Sequence, residues 1–178
     1  MGDVEKVIAC FKELKFVPCI DDFQHRLIVQ KINCLLNFGG INTGFECNLY
    51  LKGPYSPDLA KALYTQTEKF TKHDTTVSLN EREKNTVVEL NSIFGLNPSY
   101  LEIGSTYAFL TIKYGMSPSD AIISIKRTKS FFTDSQIAIA VSKSKEFLAR
   151  PSKELIDLVT KEGEMWDTAS TPLNTQEN

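Results

Sequence analysis

Histidine is scarce in this chain: His25 and His73 are the only two among 178 residues. A catalytic triad needs a base within hydrogen-bond reach of its nucleophile. His25, close to Asp21 and Asp22, with Cys47 as the thiol, is the best set available. No glycine-rich elbow accompanies a serine, and the phosphate-cradling patterns G-x-G-x-x-G and G-x-x-x-x-G-K-[ST] are missing. These gaps argue against an enzyme and against a cofactor. The four cysteines, Cys10, Cys19, Cys34 and Cys47, include no C-x-x-C pair. They read as reduced thiols serving as small hydrophobes, and no metal site is expected. No apolar run approaches the roughly 20 residues that span a bilayer. Met1–Lys6 lacks the basic start and apolar core of a secretory signal. Lys6 stands where a myristoylation motif has Ser or Thr. The expectation is a cytoplasmic protein with no membrane partner.

A strong charge imbalance is lacking too, since the formal net charge is only −2. The distribution is uneven. From Pro151 onward two lysines stand against six acids, so the remainder is mildly basic. That falls short of the basic footprint of a dedicated nucleic-acid binder.

What is present is a run of amphipathic segments with clear starts. Val4, Val7, Ile8, Phe11 and Leu14 predict a helix over 3–14, ended by Pro18. Asp21 or Asp22 opens a second helix to about Asn37. Its apolar set, Phe23, Leu27, Ile28, Ile32, Leu35 and Leu36, implies burial of much of its circumference. Gly39-Gly40 stops it. Alternation over Phe45–Leu51 predicts a half-buried strand, and the β-branched Thr75–Leu79 is its expected partner. Between them a helix over 57–71 buries Leu59, Leu63 and Phe70.

The rest reads as helical. Asn80 with Glu83 caps a helix to Phe94, closed by Gly95. Asn97-Pro98 opens one reaching Tyr114, with Tyr100, Ile103, Tyr107, Leu110 and Tyr114 in one stripe and Leu101, Ala108 and Ile112 in another. A helix apolar on most sides belongs at the centre of the fold. Ser117-Pro118 starts a short helix toward Arg127, and Thr133-Asp134-Ser135-Gln136 is a capping box for another. The predicted fold is mainly α, with one helical domain over 1–150 and a small two-stranded β element. An acidic helix and disordered tail, with Trp166 between Glu164 and Asp167, fill 151–178. In that tail Trp166 either docks to a basic partner or packs back on the domain.

Lys52-Gly53-Pro54-Tyr55-Ser56-Pro57 is the most constrained stretch. Gly53 permits a reversal, Pro54 and Pro57 fix φ, and Ser56 caps the following helix. Such a turn loses little entropy when a partner docks. Tyr55 is either displayed as an interface anchor, with Tyr50 extending the patch, or folds back onto the second helix. Lys31, amid Ile28, Ile32 and Leu35, either snorkels to solvent or pairs with a carboxylate beneath the turn.

Arg26–Leu36, with its Gln30-Lys31 pair, resembles the L-Q-K-L-x-Y-L helix of the Panacea (SocA-like) antitoxin-associated domains and their YwgA-like relatives. Leu51–Leu59 resembles the Y-G-P-Y-S-P-E-L turn of the same proteins. Phe131–Ile137 is similar to the K-F-T-D-E-E-I start of their last helix. The chain differs at Val29 and Ile32, where Leu is commoner, and at Cys34, where an aromatic is usual. The resemblance covers roughly residues 21–148. It implies a winged-helix-like domain that binds partner proteins, neutralising a toxin or delivering one to a protease.

The expected function is therefore a non-catalytic protein-interaction module, antitoxin-like or adaptor-like. Its partner-binding residues are Lys31, Tyr50, Lys52, Gly53, Pro54, Tyr55, Ser56 and Pro57. The alternative is a winged-helix DNA-binding regulator that uses Lys61, Gln66, Lys69 and Lys72 on the helix at 57–71.

Overall fold

Asp3 accepts a hydrogen bond from the Lys6 amide and opens helix α1 (Val4–Glu13), which buries Val7, Ile8 and Phe11. The computed structural model describes residues 2–149 and Lys161. Except at Lys161, the acidic helix predicted from Pro151, Trp166 and the predicted tail lie outside the described residues. Asp22 caps α2 (Phe23–Phe38) by accepting from the amides of Gln24 and His25. α2 is buried without a break from Ile28 to Leu36, as its broad apolar set requires. Phe23 departs from expectation: it lies in the first turn, before the helix enters the core, and is 51% exposed.

The mainly helical class holds, and so does the small antiparallel sheet, but the strands differ from those expected. Strand β1 (Asn48–Tyr50) pairs with β2 (Gly53–Tyr55), placing Asn48 opposite Tyr55, Leu49 opposite Pro54 and Tyr50 opposite Gly53. The Gly-Pro-Tyr elbow is thus itself the second strand, and Leu51-Lys52 is the hairpin tip. The predicted strand over 45–51 forms a ladder only from Asn48, because its partner is three residues long. Upstream, the Phe45 carbonyl accepts instead from the side-chain amides of Asn33 (3.0 Å) and Asn37 (3.1 Å) on α2. Thr75–Leu79 does not join the sheet. Thr75 Oγ1 donates to the Glu5 carbonyl (3.0 Å) and the Thr76 amide to the Glu5 carboxylate (3.4 Å), which lays this segment along α1.

The helix expected over 57–71 is two helices, α3 (Pro57–Thr65), capped by Ser56, and α4 (Thr67–Lys72). They part at Gln66, whose φ −125° and ψ 31° are not helical. The hydroxyls of Thr65 and Thr67 bond back to carbonyls one turn earlier and compete with the helical ladder at this point. Leu59, Leu63 and Phe70 are buried as predicted.

Asn80 and Glu83 exchange the two bonds of a capping box at the start of α5 (Glu81–Phe94). Asn97 caps α6 (Pro98–Ile112), which is buried from Leu101 to Leu110. Its two stripes face two separate clusters. Leu101 and Ala108 pack with α1, α2 and α5. Ile103, Tyr107 and Leu110 pack with α7 (Pro118–Thr128) and α8 (Asp134–Leu148). Ile112 and Tyr114, assigned to those stripes, are exposed because the helix ends at Ile112. Thr133 and Gln136 form the predicted box before α8. Among the described residues no helix is long and apolar enough to cross a membrane.

Gly53 shows how closely the hairpin lies on α6. Its φ is +86°, and a Cβ there would stand 2.4 Å from Thr106 Oγ1. Both the backbone conformation and the contact therefore demand glycine. Gly95→Ala, at φ +58° with open space around it, is expected to cost about 1 kcal/mol in urea unfolding. Gly53→Ala is expected to cost about 3 kcal/mol, because overpacking adds to the backbone strain. Equal losses would show that the hairpin is not seated on α6.

Candidate binding surface at the hairpin

Two adjacent residues of α2 hold the hairpin from below. Gln30 donates from Nε2 to the Ser56 carbonyl (3.2 Å) and accepts from the Ser56 amide at Oε1 (2.8 Å). The Lys31 ammonium donates to the Pro54 carbonyl at 2.8 Å. Lys31 therefore does not snorkel, being 2% exposed, and its bonded partner is the turn backbone rather than a carboxylate; the carboxylate in this place, Glu102, pairs with Lys129. Hydrogen bonds from a charged donor are worth about 1.5–3 kcal/mol each, roughly twice the neutral kind. Pro54 has no N–H of its own, so its carbonyl and the flanking Ser56 groups carry the attachment.

Beneath Lys31 lies an ion pair. Lys129 Nζ stands 2.5 Å from Glu102 Oε1, with side chains only 2% and 6% exposed. Glu102 is on α6, and Lys129 begins the loop between α7 and α8. The Phe132 amide donates to the Lys129 carbonyl at 3.0 Å, so the buried pair anchors the loop that carries Phe131. Glu102 also acts on Lys31, as the strongest charge favouring its ammonium form. Desolvation outweighs that attraction, and the Lys31 pKa falls from 10.5 to about 8.

Above this polar floor the surface is aromatic. Leu51 at the tip is 91% exposed, its neighbour Tyr50 is exposed, and so is Phe131 on the loop between α7 and α8. The Tyr50 and Tyr55 rings meet edge to face, with centroids 5.4 Å apart. Lys52 Nζ lies 5.4 Å from the centroid of the Phe23 ring and 6.0 Å from that of Phe131. Arg26 Cζ also stands over Phe23, 5.7 Å from its ring centroid. Cation–π contacts at exposed sites are worth about 0.5–1 kcal/mol, enough to gather the rings without burying them.

Of the residues expected to bind a partner, the structure brings all eight to the hairpin but divides their tasks. Lys31, Gly53, Pro54 and Ser56 are buried and position the hairpin; they offer no side chain to a partner. Tyr50, Lys52 and Pro57 are exposed, and Tyr55 is half-buried. Sequence reasoning missed Gln30, Glu102 and Lys129 below, and Phe23 and Phe131 above. A charged residue within the most apolar helix, as Glu102 is, was the available signal.

The residues of the DNA alternative are not gathered on one continuous helix. Lys61 is on α3, Gln66 is the break, and Lys69 and Lys72 are on α4. Lys69 pairs with Glu5 at 2.9 Å and Lys72 with Glu68. The bond from Lys69 holds the Glu5 carboxyl below the usual carboxylate range. His25 does not meet Cys47: its Nδ1 accepts from the Cys19 amide at 3.0 Å. His73 Nε2 bonds the Phe16 carbonyl at 2.9 Å. Compared with protein-family models, with curated proteins and with solved structures, the chain matches none.

The depressed Lys31 pKa has a definite consequence for stability. Between about pH 8 and 10.5 the unfolded chain keeps the Lys31 proton while the folded chain releases it, so stability rises with pH there. The groups acting on this ammonium are Glu102, Lys129, Cys34 and Cys47. Lys31→Met removes the titration, and its loss of the Pro54 bond does not vary with pH. The stability of the native chain relative to Lys31→Met, from urea unfolding, should therefore increase by about 2 kcal/mol from pH 7.5 to 10. A flat difference would mean that Lys31 is solvated.

Proposed function

We propose that this protein is a non-catalytic binding module that captures a partner protein on the hairpin tip and the aromatic side chains around it, with α3 alongside. One observation carries the reading: Leu51 is 91% exposed at the tip of a hairpin whose backbone is fastened from beneath. Exposed apolar side chains gathered into one patch mark interaction sites, whereas scattered ones do not. Here exposed Phe23 and Phe131 lie against Lys52, and exposed Tyr50 and Leu51 precede it in the hairpin. The cations Lys52 and Arg26 suit a partner that is apolar at the centre of its contact and acidic at the edge. The resemblance of the Gln-Lys helix and the Gly-Pro-Tyr-Ser-Pro turn supports a partner of the toxin or protease-delivery class, and so an antitoxin-like or adaptor-like role. Recognition of duplex DNA through α3 and α4 has less behind it, because two of its three lysines already engage carboxylates.

A pull-down from native lysate, with surface variants as controls, tests the reading. Tyr50→Ala and Leu51→Asp should each keep the urea midpoint of the native chain. Each should weaken binding of the captured and then purified protein by about 2 kcal/mol, roughly thirtyfold in Kd. Retention of the same protein at undiminished affinity by the Leu51→Asp, Lys52→Glu double variant would place its binding site elsewhere.

A further inference from the structure

Two of the four cysteines line one cleft although they lie on different segments. Cys34 is buried on α2, and Cys47 is half-buried in the extended segment that leads into β1. Asn33, next to Cys34 on α2, donates from Nδ2 to Cys47 Sγ at 3.4 Å. Both cysteines line a cleft of about 380 Å³ between α2, the 42–47 segment and the end of α6, with Phe38, Phe109 and Lys113 among its walls. A water molecule's share of liquid is about 30 Å³, so the cleft has room for a small solute beside the thiols. Among the described residues, no group of three His, Cys, Asp or Glu side chains could hold a metal ion. The chemistry of the site is therefore that of a dithiol.

The surroundings divide the pair into unlike partners. Cys34, Asn33, Lys31 and Lys113 all favour the Cys47 thiolate and lower the Cys47 pKa. Burial pushes Cys34 the other way. Cys47, the more accessible of the two and held by the Asn33 donor, is placed to meet a solute in the cleft, whereas Cys34, 1% exposed, can react with little except a neighbouring group.

We propose that Cys34 and Cys47 form a redox-active dithiol that a hydroperoxide oxidises reversibly to a disulfide, with Cys47 as nucleophile and Cys34 as resolving thiol. The Cys47 thiolate attacks one peroxide oxygen; the O–O bond breaks, and the departing alkoxide or hydroxide takes the proton that Cys47 gave up. Cys47 is then a sulfenic acid. Cys34 sulfur attacks Cys47 sulfur, the S–O bond breaks, and hydroxide leaves as water with the Cys34 proton. In total two thiols are oxidised by two electrons, and one peroxide is reduced to an alcohol, or water, and a further water. The product ties α2 covalently to the segment that enters the hairpin. This proposal does not rest on the binding function above.

The test uses the full chain carrying Cys19→Ser, which removes the exposed thiol. The folded protein is treated with equimolar hydrogen peroxide at pH 7 and analysed by non-reducing peptide mapping. The expected result is a Cys34–Cys47 linkage that dithiothreitol reverses, with Cys10 left reduced. In the otherwise native chain Cys47 should be consumed at least about threefold faster than Cys19. Cys34→Ser should arrest Cys47 as a sulfenic acid that dimedone traps, and Cys34→Ala serves if the serine variant fails to fold. A Cys47 that stays reduced, oxidises no faster than Cys19, or passes to sulfinic acid without linking to Cys34 would overturn the proposal.

Discussion

A single buried carboxylate, Glu102, lies beneath the hairpin and the aromatic side chains around it. It stands in the second turn of α6 and pairs with Lys129 at 2.5 Å. It also supplies the strongest charge favouring the Lys31 ammonium, which reaches the Pro54 carbonyl. Buried charges are costly unless paired and hydrogen-bonded, and removing one member of such a group leaves the others exposed to that cost. Glu102 is bonded to Lys129 and favours the Lys31 ammonium through its charge, so both lysines depend on the one carboxylate. One holds the hairpin down and the other holds the α7–α8 loop, so both borders of the aromatic surface refer to the same point in the core.

This arrangement separates rigidity from display. The backbone groups of Pro54 and Ser56 are taken up by Lys31 and Gln30, and Gly53 lies against Thr106. None of these contacts uses the side chains at the tip. Leu51, Lys52 and Tyr50 are free to face outward on a backbone that has already lost its freedom, so less ordering remains to oppose docking. Cys34 and Cys47 line a cleft just before β1, and a disulfide between them would add a covalent tie to a segment now held by Asn33 and Asn37.

Most helix starts were legible in the sequence, because their signal is local. Asp22, Ser56, Asn97 and Ser117 each cap the helix that follows them, and the boxes at Asn80–Glu83 and Thr133–Gln136 form as spaced. The central place of α6 was legible from its two stripes, which face the two hydrophobic clusters. The strand partner was not. Gly53-Pro54-Tyr55 has the composition of a turn, and only the contact with α2 and α6 makes it a strand. The break at Gln66 was masked by apolar spacing that continues from Leu63 to Phe70. The Glu102–Lys129 pair joins residues 27 positions apart, a separation to which no local pattern speaks. At the site, the turn was found but the tasks within it were not. Lys31 and Ser56 support what Leu51, Phe23 and Phe131 display.

Native-state hydrogen exchange on Glu102→Gln at pH 7, below the pKa of Lys31, tests the shared anchor most directly. Two reporter amides sit on the two borders: Ser56, which donates to Gln30 Oε1, and Phe132, which donates to the Lys129 carbonyl. The account predicts that both lose protection together in the variant, while amides of α1 and α5 keep theirs. Unchanged protection at Ser56 and Phe132 would contradict it, as would an equal loss across all helices.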